Sequence, residues 1–231
     1  MLVVAAHPDD VDFGAAGTVA AFTSSGLDVT YCIVTSGEAG GSDRHMARGD
    51  MAALRQDEQR AAAAVVGVSD VRFLGHPDGM VQSTLELRRD ISRVIRQVRP
   101  ERVLTQSPDR DWAFIYASHP DHLAAGEAAA CAVYPDARNP FAHPELLEVE
   151  GLEPWTVPEL WLMGPGKDPD IAVETTATVE RKVSALLCHK SQIPDPDGVA
   201  TRIFDWARAA GESAGLSEGA SAELFRVIKI P

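Results

Sequence analysis

Through its first 133 residues the chain alternates short apolar runs with longer helical patterns, and that alternation admits few folds. Leu2 to Ala6 is apolar at every position, which suits a strand buried on both faces of a parallel sheet. Leu27 to Thr35, Val71 to Leu74 and Val103 to Gln106 repeat the strand signal. Helical segments lie between them: Gly14 to Phe22, Asp50 to Val66 ended by Gly67, and Leu85 to Val98 stopped by Pro100. A further helix is expected over His119 to Val133. Repeated βα units predict an α/β, three-layer αβα, Rossmann-like fold, with a mostly parallel twisted sheet and helices on both faces.

The character changes after Val133. Residues 134–170 carry seven of the fifteen prolines, together with Trp155 and Trp161. Recurring aliphatic and aromatic residues predict an ordered, substrate-facing excursion rather than a linker. A helix over Thr178 to Cys188 with Thr178 as its cap, another at Asp205 to Ala210, and a late strand over Phe225 to Ile230 complete a loop-rich C-terminal part. The 231 residues fit a single domain, 1–231.

Open parallel sheets bind ligands beyond the carboxyl ends of their strands. The segments 7–10, 35–41, 75–79 and 107–122 each follow an expected strand, so the chemistry-bearing residues gather at one edge. Two of these segments mirror each other: His7-Pro8-Asp9-Asp10 and His119-Pro120-Asp121-His122. Each offers two ligand-type side chains at i, i+3. Pro8 tightens the first into a turn. Pro120 fits the first turn of a helix, whose i and i+3 residues share a face. Zinc takes histidine nitrogen and carboxylate oxygen, and its catalytic sites use three protein ligands with one position open. His7, Asp10 and one of His119 and His122 supply such a set, and one carboxylate remains as a base. A single His-Pro-Asp is ordinarily structural, and the third copy, His76-Pro77-Asp78, has no ligand-type residue at i+3.

Composition excludes several classes. A net charge of −13 without a Lys/Arg-rich stripe argues against a nucleic-acid partner. No apolar run approaches the ~18 residues of a membrane span, and the opening segment lacks the basic region of a signal peptide. Cys32, Cys131 and Cys188 are far apart and form no CxxC, so they read as buried free thiols of a cytoplasmic protein. A homo-oligomer is compatible with these features. Nucleotide binding is disfavoured, because the first turn carries HPDD where a dinucleotide site needs G-x-G-x-x-G, and no GK[ST] closes Ser36 to Gly41.

Taken in order, Ala6-His7-Pro8-Asp9-Asp10, Phe13-Gly14 through Gly17, Thr35-Ser36-Gly37-Glu38, Arg55-Gln56-Asp57-Glu58 and His119-Pro120-Asp121-His122 resemble the LmbE-like, or PIG-L, family of metal-dependent N-deacetylases. The resemblance extends through His189-Lys190-Ser191-Gln192. It implies a hydrolase that removes acetyl from an N-acetylglucosamine-containing substrate, a small amino-sugar conjugate. One divalent metal is implied, Zn2+ being the expected ion, although a His2Asp set also admits iron, manganese or cobalt. The implied ligands are His7, Asp10 and His122; Asp9 is implied as general base, and His119 as the group that steadies the oxyanion in its protonated form.

The same resemblance gives Arg55 a substrate contact, the alternative being an exposed pair with Glu58 at i+3. Asp78 is expected to bind a sugar hydroxyl, or else to form a plain Asp-Gly turn. Asp12 and Asp121 are expected to support the ligands from behind. The chain departs from the family at Val11, where many members carry an acid, with Asp12 following. Tyr116 stands three residues before His119, and its role is open. His189 is expected in the pocket or at a helix end, His45 and His143 at the surface, and Trp112, Trp155 and Trp161 in the core or against a sugar ring. Two rivals stay within the resemblance: an amidase on glucosamine-containing thiol conjugates, and a non-catalytic sugar-binding protein of the same fold. Intact Asp9 and His119 favour catalysis.

Overall fold

The computed structural model describes residues 1–164 and 169–231. Seven strands form one sheet: β1 (Leu2–Ala5), β2 (Thr30–Thr35), β3 (Asp70–His76), β4 (Arg102–Gln106), β5 (Glu159–Met163), β6 (Ile171–Glu174) and β7 (Ala222–Lys229). Their spatial order is β3-β2-β1-β4-β5-β7-β6. The first five in that order pair in parallel, and β7 is antiparallel to both β5 and β6. The helices are α1 (Asp10–Gly14), α2 (Ala16–Ser24), α3 (Arg48–Val65), α4 (Leu85–Val98), α5 (Pro120–Cys131), α6 (Pro144–Glu148), α7 (Val179–Leu186) and α8 (Pro196–Ser213). None of them is long and apolar enough to cross a membrane.

The unbroken apolar run of β1 has a direct cause. Leu2 and Val4 pack with Leu87, Ile91 and Ile95 of α4 and with Ala125, Ala128 and Ala129 of α5. Val3 and Ala5 point the other way, against Val19 and Ala20 of α2, Ala62 and Ala63 of α3 and Ala185 of α7. A strand covered on both faces has no position to give to a polar residue. These are the two outer layers of the expected three-layer sandwich. At Gly126 the packing leaves no space for a side chain: a Cβ would collide with the Gln106 carbonyl. Helix α5 therefore lies directly on the end of β4.

The C-terminal part is more regular than its pattern suggests. The five residues of β5 sit in the middle of the sheet, between β4 and β7. Helix α8 runs well beyond Asp205 to Ala210; Asp195 caps it, accepting from the Gly198 amide at 3.0 Å. Glycines 198 and 211 within it lower its propensity and hid it. Thr178 does precede α7, but its hydroxyl donates to the Gly17 carbonyl at 2.8 Å instead of capping the helix.

The described part of the Pro-rich excursion packs on α4 and on the start of β4. It runs back along α4: Arg88 grips Asp136, Arg96 donates to the carbonyls of Ala137 and Asn139, and Arg93 holds Glu150. Trp155 then donates to the Pro100 carbonyl at 2.8 Å, at the edge of the sheet where β4 begins. The segment is the return path that lets β5 start parallel to β4. Residues 165–168 of the excursion lie outside the described residues. Of the cysteines, Cys32 is buried, whereas Cys131 and Cys188 are only half-buried.

Candidate metal centre

The site lies where β1, β2, β3 and β4 end side by side. The strand ends are tied together first: the Ala6 amide donates to Gln106 Oε1 at 2.9 Å, and the Thr35 amide and hydroxyl both donate to the Ala6 carbonyl. His7 leaves β1 from this fixed point. The turn that follows is closed by the His7 amide donating to Asp10 Oδ2 at 2.7 Å. From the other side, Pro120 begins α5, with the His119 ring as its N-cap: Nδ1 accepts from the Asp121 amide at 3.2 Å.

The two motifs meet. His7 Nδ1 lies 3.3 Å from His122 Nε2 and 3.5 Å from Asp10 Oδ2, and His122 Nε2 lies 2.9 Å from Asp10 Oδ1. Tautomers follow from the remaining contacts. His7 Nε2 faces the carboxylates of Asp78 and Asp121 at 3.0 Å each, so Nε2 carries the proton and Nδ1 the lone pair. His122 Nδ1 faces the Ala117 carbonyl at 3.3 Å, which leaves its lone pair on Nε2. With a metal in place of the ring protons, two imidazole lone pairs and a carboxylate would converge on one point. Ligand atoms around a tetrahedral zinc stand about 3.3 Å apart for bonds near ~2.05 Å; the two ring nitrogens have that separation, with one Asp10 oxygen beside each.

Two other triads lie within 4.8 Å of one another, His7–His119–His122 and His7–Asp78–Asp121. Each carries a feature that bears on its use as a ligand set. His119 has committed its Nδ1 lone pair to the Asp121 amide, so its Nε2 bears a hydrogen. Asp78 and Asp121 share the Nε2 proton of His7 and orient that ring.

The electrostatics favour a cation. Burial disfavours a charged His7 ring, yet Asp10 and Asp78 outweigh it and push His7 up to about 11. Burial also raises Asp10, but His122 and His7 hold it well below the usual carboxylate range. Asp9 is pushed up to about 7 by burial and the charge of Asp10, against the pull of Arg55. Burial, with the charges of His7 and His122, lowers His119. A neutral His119 ring whose Nδ1 accepts from the Asp121 amide presents Nε2–H as a donor.

With this geometry in view, residues 2–133 match the PIG-L family, described as GlcNAc-PI de-N-acetylase. The chain belongs to the PIG-L family. These are hydrolases of an amide C–N bond. It is 33% identical over 199 residues to a diacetylchitobiose deacetylase of Thermococcus kodakarensis, covering 84% of this chain and 70% of that protein. It is 31% identical over 221 residues to a probable N-acetyl-alpha-D-glucosaminyl L-malate deacetylase of Bacillus anthracis, covering 90% and 85%. The solved N,N'-diacetylchitobiose deacetylase of Pyrococcus horikoshii superposes with a TM-score of 0.89 at 28% identity, over 99% of this chain and 83% of that one.

Within this PIG-L site, several residues do other work than the motifs suggest. Arg55 is 4% exposed and makes no pair with Glu58. Its Nη2 donates to the Pro8 carbonyl at 2.6 Å and to Asp9 Oδ2 at 3.2 Å, and Nη1 donates to the Gly37 carbonyl at 2.9 Å. Its fork joins the His7–Asp10 turn to the loop after β2, and a side chain at Gly37 or Gly40 would collide with it. Glu58 instead accepts from the Ser191 amide and hydroxyl. Asp78 turns inward, with Oδ1 on His7 and Oδ2 accepting from the Ala39 amide at 2.9 Å. The Asp78 amide donates back to Glu38 Oε1, a reciprocal latch between two loops.

Asp121 supports His7 as expected. Asp12 does not reach a ligand; it is fully buried against Gln59 Nε2 at 2.9 Å and His189 Nε2 at 2.8 Å. His143 is half-buried against Asp136 rather than at the surface, and Trp161 is a core residue. Trp112 and Tyr116 stand exposed on the loop that precedes His119. Sequence reasoning missed Gln59 and the inward turn of Asp78. The only available signal was the third His-Pro-Asp copy, at the same strand edge.

Proposed function

We propose that this PIG-L protein is a zinc-dependent N-deacetylase acting on a small N-acetylglucosamine-containing conjugate. The carrying observation is the convergence of the His7 and His122 lone pairs on Asp10. His7, Asp10 and His122 would hold the ion. When bound, it supplies Lewis acidity, which acidifies water and polarises a carbonyl. The named relatives, deacetylases of chitobiose and of a glucosaminyl malate, support an acetamido sugar as the substrate class.

The chain's own groups divide the remaining work. Asp9 sits between the two proposed ligands in sequence, and Arg55 fixes its Oδ2. It takes the proton of the attacking water and returns it to the departing amine. His119 is exposed in the cleft beside His7 and His122, with ring centroids 5.1 and 5.3 Å away. Its Nε2–H donates to the oxygen that gains charge as the amide carbonyl becomes tetrahedral, a contribution of ~3–4 kcal/mol for such a donor. Asp78 and Asp121 keep the His7 ring in the required tautomer.

The experiment is acetate release from a panel of N-acetylglucosamine derivatives by metal-stripped protein, before and after reloading with zinc. Zinc-dependent release on any member supports the reading, and the ranking identifies the attached group. Stoichiometric zinc with no release overturns deacetylation and directs the assay to amide-linked glucosamine conjugates.

A further inference from the structure

Asp9 has φ +97° and ψ −26°, in the left-handed region that residues other than glycine enter only when their surroundings hold them there. It lies between His7 and Asp10, so its backbone conformation sets the direction of both side chains. Beyond the Arg55 fork on the Pro8 carbonyl, one side chain grips this residue's own peptide: the Asp9 amide donates to Gln59 Oε1 at 2.8 Å.

Gln59 belongs to α3 and is fully buried. Its amide orientation is set from the other end, where Nε2 donates to Asp12 Oδ2. The same oxygen accepts from His189 Nε2, beyond the end of α7. Three separate elements thus meet behind the turn in a line of side chains fully shielded from solvent. Among the described residues Asp12 Oδ1 and His189 Nδ1 have no hydrogen-bond partner, so the group is not an economical way to fill a core. An apolar trio of similar size would pack there without orphaned atoms.

We infer that His189, Asp12 and Gln59 are positioning residues that hold Asp9 in its left-handed conformation and thereby aim His7 and Asp10 at one point. The inference rests on the metal-site reading above. Gln59 acts directly, through the Asp9 amide. Asp12 and His189 act through Gln59, by fixing which end of its amide faces the turn.

The test uses Gln59→Leu, with His189→Asn as a second variant should the first not fold. The first readout needs neither metal nor substrate: hydrogen exchange of the Asp9 amide. It should quicken about tenfold or more, while amides in the middle of β1 and α3 keep their rates. The second readout is zinc affinity by chelator competition, expected to weaken ~10–100-fold, the range for loss of a group that orients ligands. The third is the same substitution in an Asp9→Gly background. Glycine adopts positive φ unaided, so there the effect of Gln59→Leu on zinc affinity should largely vanish. An unchanged Asp9 exchange rate, or an equal affinity loss in both backgrounds, overturns the inference. A wild type that binds no zinc overturns the metal reading instead, and amide exchange still decides this one.

Discussion

His7 Nε2 lies 3.0 Å from Asp121 Oδ2, a bond that joins the two His-Pro-Asp runs across 114 residues of chain. The same Asp121 carboxylate accepts from the amides of Gly79 and Val81. One buried side chain therefore registers the ends of β1 and β3 and the start of α5 against one another, and sets the tautomer of His7.

Every partner of Asp121 is a donor, so asparagine there must oppose one N–H with its own NH2. Asp121→Asn should weaken zinc binding ~10–100-fold and cost ~1–3 kcal/mol of stability. Chelator competition and urea denaturation measure the two effects. Wild-type affinity in the variant would show that Asp121 does not orient His7.

Asp9→Asn and His7→Ala separate base from ligand. Asp9→Asn should keep stoichiometric metal and lose ~10²–10⁴-fold in turnover. His7→Ala should lose the metal as well, because it removes a donor from the converging set. Metal analysis beside acetate release checks both. Equal metal loss in the two variants would make Asp9 a ligand.

Chelation should abolish activity and also lower the melting temperature. Zinc at a hundred times its Kd contributes ~2.7 kcal/mol of linkage. In a chain of this size that is a shift of ~5–10 °C. Calorimetry with and without zinc reads it directly. The burial of Asp10 and Asp78 beside one ring gives the expected direction.

Away from the site, Lys182 Nζ and Glu223 Oε1 form a buried pair at 2.6 Å, and Glu223 also accepts from the amides of Gly17 and Thr18. Glu223→Ala strands the ammonium and should cost ~3–5 kcal/mol in urea unfolding. Adding Lys182→Met should recover part of that loss. A cost unchanged by the second substitution would show that the amides, not the lysine, depend on Glu223.

Stability should fall in acid partly through Asp90. Burial opposes its charge, but hydrogen bonds from Arg93, Arg89 and His76 outweigh that and hold its carboxyl below the usual 3.8. A depressed folded pKa stabilises above the unfolded value, and the contribution is lost as pH falls through the folded one. Asp90→Asn should therefore cost ~1 kcal/mol at neutral pH and progressively less below pH 3.8. A cost independent of pH would assign the effect to packing.

Local signals carried far where one element decided the outcome. Leu85–Val98 of α4 has the bounds its periodicity predicts, because Thr84 caps it and Arg99-Pro100 stop it within a few residues. The two ligand-bearing runs were legible for the same reason: an i, i+3 pair on a strand-end turn, and another on a first helical turn, share a direction whatever lies around them; the choice of His122 over His119 came from the family resemblance. Central strand β5 was not legible, because five residues hemmed by prolines carry too little pattern, and its pairing with β4 and β7 supplies the missing stabilisation.

By itself, then, the sequence determined the parallel sheet, the edge at which its chemistry gathers and the residue types that converge there. These follow from periodicity and from spacing along the chain, which are local quantities. Only the tertiary structure decided that Asp78 turns inward to His7, that Arg55 clamps the Asp9 turn, and that Asp12 reaches the site through Gln59. A carboxylate or a guanidinium takes its role from whichever donor or acceptor faces it. Here those partners come from other loops, tens of residues away, brought into range by the packing of α3, α5 and α7 on the sheet.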